Sequence, residues 1–147
     1  MLIKRLLLLL LLPVSLLAAA HRVNGQSCLS YETDGVKLTG KIKRMTFPGP
    51  PNFESVKKGD QPEVAWILHL DKPICVNADQ SNEFDKAENN VTDIQLAVKQ
   101  EEYKKRNAFV GTRVRVVVTG KLFHSHTGHH HTNVLMDVAE IKRRGRK

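Results

Sequence analysis

Cysteine, aromatic residues and enzyme signatures are all scarce in this 147-residue chain, and each scarcity excludes something. There are two cysteines, Cys28 and Cys75, and no C-x-x-C pair, so a thiolate zinc centre is excluded. An even cysteine count is read first as a disulfide, Cys28 to Cys75, which belongs to an oxidising compartment. The residues before Cys28, Gly25-Gln26-Ser27, lack the small-residue pattern of a lipidation site. Aromatic residues make up 5% of the chain, and the second and third expected strands offer only Trp66, which is expected to face the core. Single-stranded nucleic acid needs exposed stacking platforms, so no nucleic-acid partner is expected. G-x-S-x-G, H-E-x-x-H, the Walker loop and G-x-G-x-x-G are absent, so the chain is not expected to be an enzyme. No internal repeat is visible.

What is present begins with a leader. Lys4 and Arg5 precede the apolar run 6–12, Pro13 and the small-residue end Ala18-Ala19-Ala20, the pattern of a secretory signal peptide over residues 1–20. Pro13 interrupts the run too early for a membrane span of about 20 residues, so no span is expected after cleavage. The formal charge of +8 is then misleading. Two charges lie in the signal and five in a basic tail, 142–147, which leaves residues 21–141 at +1. Nucleic-acid binding by counterion release would require a folded basic patch instead. The expected product is a monomeric, periplasmic or secreted protein.

Hydrophobic periodicity divides the remainder into a polar lead-in, 21–34, and one domain, 35–141. From Gly35, Val36, Leu38 and Ile42 share a parity opposite to Lys37, Lys41 and Lys43, as in a half-buried strand. The parity shifts before Met45 and Phe47, and with Gly40 in the run a bulge or bend is expected. Further strands are expected over 63–70, ended by Pro73-Ile74-Cys75, then over 91–98, from Gly111 through Leu122, and over 133–141. The helix-rich run 99–107 suits one short helix before the fourth strand. The order strand, strand, strand, helix, strand, strand is that of an OB-fold, an all-β five-stranded Greek-key barrel. The acidic segment 77–90 reads as a surface loop. Asn90-Val91-Thr92 is a glycosylation sequon, meaningful only in a eukaryotic host.

Several blocks resemble domain-of-unknown-function family 4431, a family of exported bacterial proteins. They are Phe47-Pro48-Gly49-Pro50-Pro51-Asn52-Phe53-Glu54-Ser55, Gly59-Asp60, Trp66-Ile67-Leu68, Pro73-Ile74-Cys75-Val76 and Thr119-Gly120-Lys121-Leu122-Phe123-His124. The last block continues as His126-Thr127-Gly128-His129-His130-His131-Thr132. The resemblance implies an envelope or secreted location and carries no activity with it.

In an OB-fold the loops between strands one and two and between strands four and five flank the binding face. The two most elaborate segments fall there. The first holds Pro48, Pro50, Pro51, Asn52, Phe53, Glu54 and Asp60; the second holds His124, His126, His129, His130 and His131. Neutral imidazole ligates zinc, copper and nickel, so the histidine loop is the candidate metal site. A two-residue Thr127-Gly128 turn would oppose His126 to His129 and His124 to His131, but a type I′ turn demands positive φ at β-branched Thr127. The inward residues of both flanking strands are even-numbered, which favours a three-residue loop, 126–128, with Gly128 left-handed. His124 and His130 would then share the inner face, and a bulge would reverse this. Without metal, the imidazoles and threonine hydroxyls would only shape the loop, and the two loops would present a surface to an envelope protein or glycan. The one catalytic route open is metal-assisted hydrolysis with Glu54 or Asp60 as acid or base. His69 is expected to be satisfied and partly buried. His21 could chelate copper only as a new amino terminus.

Overall fold

The computed structural model describes residues 27–111 and 113–145. The signal peptide and His21 lie outside the described residues. Alternation produces five strands near the expected positions, β2 (Val36–Pro48), β3 (Pro62–Asn77), β4 (Glu88–Ala97), β5 (Val116–His124) and β6 (Val134–Arg143), and the lead-in adds a short strand that was not expected, β1 (Leu29–Ser30). The short helix α1 (Glu102–Arg106) lies between β4 and β5. Strands β2 to β6 close into a barrel in the order β2, β3, β4, β6, β5, with β4 and β6 parallel and the other pairs antiparallel. This is the expected five-stranded OB-like Greek key.

Even-numbered residues of β2, β5 and the start of β6 fill the interior. Ile42, Val116, Val118, Leu122 and Met136 are fully buried, joined by Leu68, Ile94 and Leu96. Each such aliphatic side chain contributes about 1.5–3 kcal/mol of burial free energy. Gly40 is where β2 passes from one neighbour to the other, pairing with both Leu70 and Val116. A Cβ there would lie 2.2 Å from the His69 carbonyl oxygen, so the barrel corner needs a glycine.

The register corrects several expectations. No bulge interrupts the β2–β3 ladder before Met45; the parity shift marks a change of cover. Ala65, Ile67 and Leu135 face outward by strand parity yet are buried, and they form a second, smaller apolar patch on the outer face. The barrel's bulge lies instead between Thr119 and Gly120. Strand β3 does not end at Pro73 but runs on to Asn77 through shifted pairing. Strand β6 takes in Lys142 and Arg143 from the basic run, and Arg144 binds Asp71 at 2.8 Å.

Cys28 and Cys75 form the expected disulfide. It fastens the lead-in to β3, where Leu29 pairs with Val76 in parallel. From there the chain crosses the barrel end, and the Glu32 amide donates to the Leu122 carbonyl at 2.9 Å. Tyr31, buried, becomes part of the core. Among the described residues no helix is long and apolar enough to cross a membrane.

Candidate functional site

The loop between β2 and β3 is built around one carboxylate. Asp60 is buried, and its oxygens accept from the backbone amides of Asn52, Glu54 and Ser55 and from the Asn52 side chain. The Ser55 amide, then those of Asn52 and Glu54, hold its carboxyl below the usual range although burial opposes them. Gly49 and Gln61 close the base of the loop backbone to backbone. Phe53 is thereby held out at a φ of 59°. Asp60 thus positions the loop, with both of its carboxylate oxygens engaged there. Glu54 is exposed and contributes only its amide.

The loop between β5 and β6 is longer than parity alone predicts. His124 pairs with Val134, and the Ser125 amide donates to the Asn133 carbonyl, so the connection is not a three-residue hairpin over 126–128. Gly128 does not have positive φ. The even-sum register is as expected, but His124 opposes Val134 rather than His130. Side chains explain the difference. The His131 amide donates to Gln95 Oε1 at 2.8 Å, and the Gln95 amide donates to Thr132 Oγ1 at 2.9 Å, folding the loop back on β4.

That fold-back sorts the five histidines into two groups. His131 stacks on Phe47 with ring centroids 3.6 Å apart, and His129 lies over Phe53 at 4.1 Å. The proline-rich and histidine-rich loops therefore meet, as their OB positions suggested. His130 pairs through Nδ1 with Ser125 Oγ at 3.1 Å. Burial, then neighbouring histidines, push the imidazoles of His130 and His131 below their ordinary value, against the pull of Glu63.

The second group is acidic. His126 Nε2 lies 2.9 Å from Asp85 Oδ1, and His124 Nε2 lies 3.2 Å from Glu88 Oε1, with the two rings 6.1 Å apart. Tyr31 meets His124 edge-on at 5.8 Å. Its phenol is pushed upward by burial first and then by Glu88 and Asp85. His124 Nδ1 faces the Ser125 carbonyl at 2.9 Å, an acceptor only, so that nitrogen carries a proton and donates. Nε2 faces a carboxylate, also an acceptor only.

The sorting has a pH consequence. The folded pKa values of His130 and His131 lie below the ordinary 6.5, so the detached loop binds protons more readily than the docked loop. Docking is fully favoured above 6.5 and is weakened progressively as pH falls through that value. Between pH 7 and 5 the His131 amide resonance should move from its Gln95-bonded position towards a solvent-bonded one, read by NMR. An unmoved resonance would show that docking is independent of these rings.

Asp85 and Glu88 are not identifiable as site residues from sequence because the acidic segment 77–90 has no periodicity, and nothing local marks Glu63 in its strand or Tyr31 in the lead-in. The only signal was the acidic segment's surplus of carboxylates. In the structure Asp85 is buried and ties the segment together through Asn82 and Asp79. His69 is satisfied by Asp93 at 2.9 Å, but half-exposed on the outer face and away from the loop. Among the described residues no three histidine, cysteine or carboxylate side chains already meet as ligands at one point.

Residues 93–142 match the profile of the family described as Domain of unknown function (DUF4431), the family that the sequence blocks resemble. The match runs from β4 through the histidine loop to β6. No curated protein and no solved structure matches the chain.

Proposed function

We propose that the protein is an exported binding module that takes a divalent transition metal at the acidic side of the histidine loop. The observation that carries this reading is His124, whose ring stands between two acceptors, Ser125 O and Glu88. A ligating imidazole commonly donates its other N–H to a backbone carbonyl, which fixes the tautomer and aims the free nitrogen at the metal. Two ligands bound at roughly 2.0–2.2 Å to one ion stand about 3–3.5 Å apart, close to the separations of the His124–Glu88 and His126–Asp85 pairs. For one ion to take both pairs, their side chains would have to converge from rings that now stand 6.1 Å apart. Two imidazoles and two carboxylates suit zinc, with copper and nickel as competitors. His129, His130 and His131, engaged with Phe53, Ser125 and Phe47, are left out of the donor set. Export agrees with the disulfide and with the expected signal peptide.

Calorimetric titration of the tag-free protein with zinc, copper and nickel tests this. Binding at pH 7.5 should fade at pH 5, since protons compete for the ligands. It should vanish in His124→Ala/His126→Ala and persist in His129→Ala/His131→Ala. No heat with any of the three metals, or the opposite pattern between the variants, would remove the reading.

The Phe53–His129 and Phe47–His131 stacks favour a second reading, a metal-independent surface for an envelope protein or glycan. Crosslinking of a partner in the presence of a chelator, lost in Phe53→Ala, would favour it.

A further inference from the structure

A cleft of about 530 Å³ opens between α1 and the β2–β3 ladder, and none of its lining residues belongs to the histidine loop. Small-ligand sites typically have volumes of about 300–1,000 Å³. Its floor is apolar and rigid. Trp66 is buried there, and Tyr103 of α1 meets it edge-on at 4.8 Å, with Val64 alongside. Arg44, paired across the ladder with Trp66, and Lys104 supply positive charge at the rim. Gln100 and Asn107 add amide groups, and no carboxylate lines the cleft.

The two cations are unengaged, as Lys43 and Lys99 nearby also are, but these two are the ones that line the cleft. Glu102 is taken by Lys105 at 2.9 Å and Arg106 at 3.0 Å, on the same short helix. Among the described residues neither Arg44 nor Lys104 has a carboxylate within ion-pair distance. The body of the protein is close to neutral, so the pairing of free cations with an indole floor is local and not a consequence of general basicity.

We propose that this cleft binds a small organic anion, its anionic head held between Arg44 and Lys104 and its apolar body over Val64 and Tyr103, above the buried Trp66. Guanidinium and ammonium donate charge-assisted hydrogen bonds to such a head, and the rings supply the area that makes an attached apolar group bind better than the bare ion. The proposal stands whether or not the histidine loop takes a metal.

Trp66 is the sole tryptophan, so its fluorescence reports from the cleft floor without interference. Benzyl phosphate is the probe, excited on the red edge of the indole band, with benzyl alcohol as its neutral counterpart and inorganic phosphate as the bare head. Benzyl phosphate should quench or shift Trp66 saturably, and both controls should bind at least about tenfold more weakly. Arg44→Gln/Lys104→Gln should raise the benzyl phosphate Kd by about tenfold or more while leaving the melting temperature and any metal binding unchanged. No saturable response up to ~10 mM, equal binding of benzyl alcohol, or an unchanged Kd in the double variant would each overturn the proposal. Because the readout is in the cleft and the metal titration reads the histidine loop, the two results are separable.

Discussion

Replacing Cys28 and Cys75 together by serine is expected to lower stability by about 4 kcal/mol, with a fall in melting temperature of roughly 15 °C. The bridge spans a sequence separation of 47 residues, and closing a loop of that length removes entropy from the unfolded chain. The native state adds its own reason. What the bridge fastens is a two-residue strand, β1, paired with β3, and behind it Tyr31, the one residue of the buried core that the lead-in supplies among the described residues. Without the bridge the lead-in keeps the Glu32 amide bond to Leu122, the Lys121–Glu32 ion pair and the burial of Tyr31. These are set against the entropy of ordering several residues, about 1–2 kcal/mol each. Detachment of the lead-in is therefore the expected first step of unfolding in the variant. Urea denaturation of the wild type with and without reductant, beside the double serine variant, measures the effect. A loss under about 1 kcal/mol would mean that the lead-in is held by its own contacts and that the bridge adds little.

The lead-in also bears on the site. Tyr31 packs against His124 and donates its hydroxyl to the Lys86 carbonyl at 2.9 Å, between Asp85 and Glu88. Loss of the bridge should therefore blunt the metal binding proposed above as well as stability. Proline-rich loop variants such as Asp60→Ala would leave the acidic pairs intact.

How much of this was legible in the sequence follows from which forces act locally. Strand alternation is set residue by residue, so β2, β4, β6 and the short helix lie close to where the pattern places them and their order implies the barrel, whereas β5 begins at Val116, five residues later than the expected start at Gly111. Pro73 was read as a strand end because it has no amide to donate; yet β3 continues past it, with the ladder to β4 shifted between His69 and Ile74. Parity also indicated that the inner residues of β5 and β6 share a face, but it cannot measure the length of a connection. That was decided by Gln95, a residue of β4 that binds both the His131 amide and Thr132 Oγ1. The histidines announced the candidate site by number alone. Their partition into stacked and acid-paired groups depends on Glu88 and Asp85, 36 residues from His124 and 41 from His126, and on Phe47 and Phe53, which lie farther still from His131 and His129. Contacts at such range leave no periodic trace.

The same distinction between local pattern and close approach makes Gly120 the most sensitive single position in the barrel. Gly120 does not have positive φ, so its backbone would accept alanine; what excludes a side chain is distance. A Cβ at Gly120 would lie 2.1 Å from the Asp137 carbonyl oxygen and 2.9 Å from Met136 Cγ. The first neighbour is backbone of the adjacent strand, paired in register with Lys121, and cannot swing aside. Relief requires β5 and β6 to part at the bulge between Thr119 and Gly120, next to fully buried Val118 and Leu122. Gly120→Ala should therefore cost at least about 3 kcal/mol, at the upper end of overpacking effects. Gly128→Ala is the matched control, since nothing lies within 4 Å of its Cβ position, and it should be within about 0.5 kcal/mol of wild type. If both substitutions were equally mild in chemical denaturation, the ladder would have to yield at the bulge without disturbing the core on either side, and the tight seam between β5 and β6 would not be what fixes the start of the histidine loop.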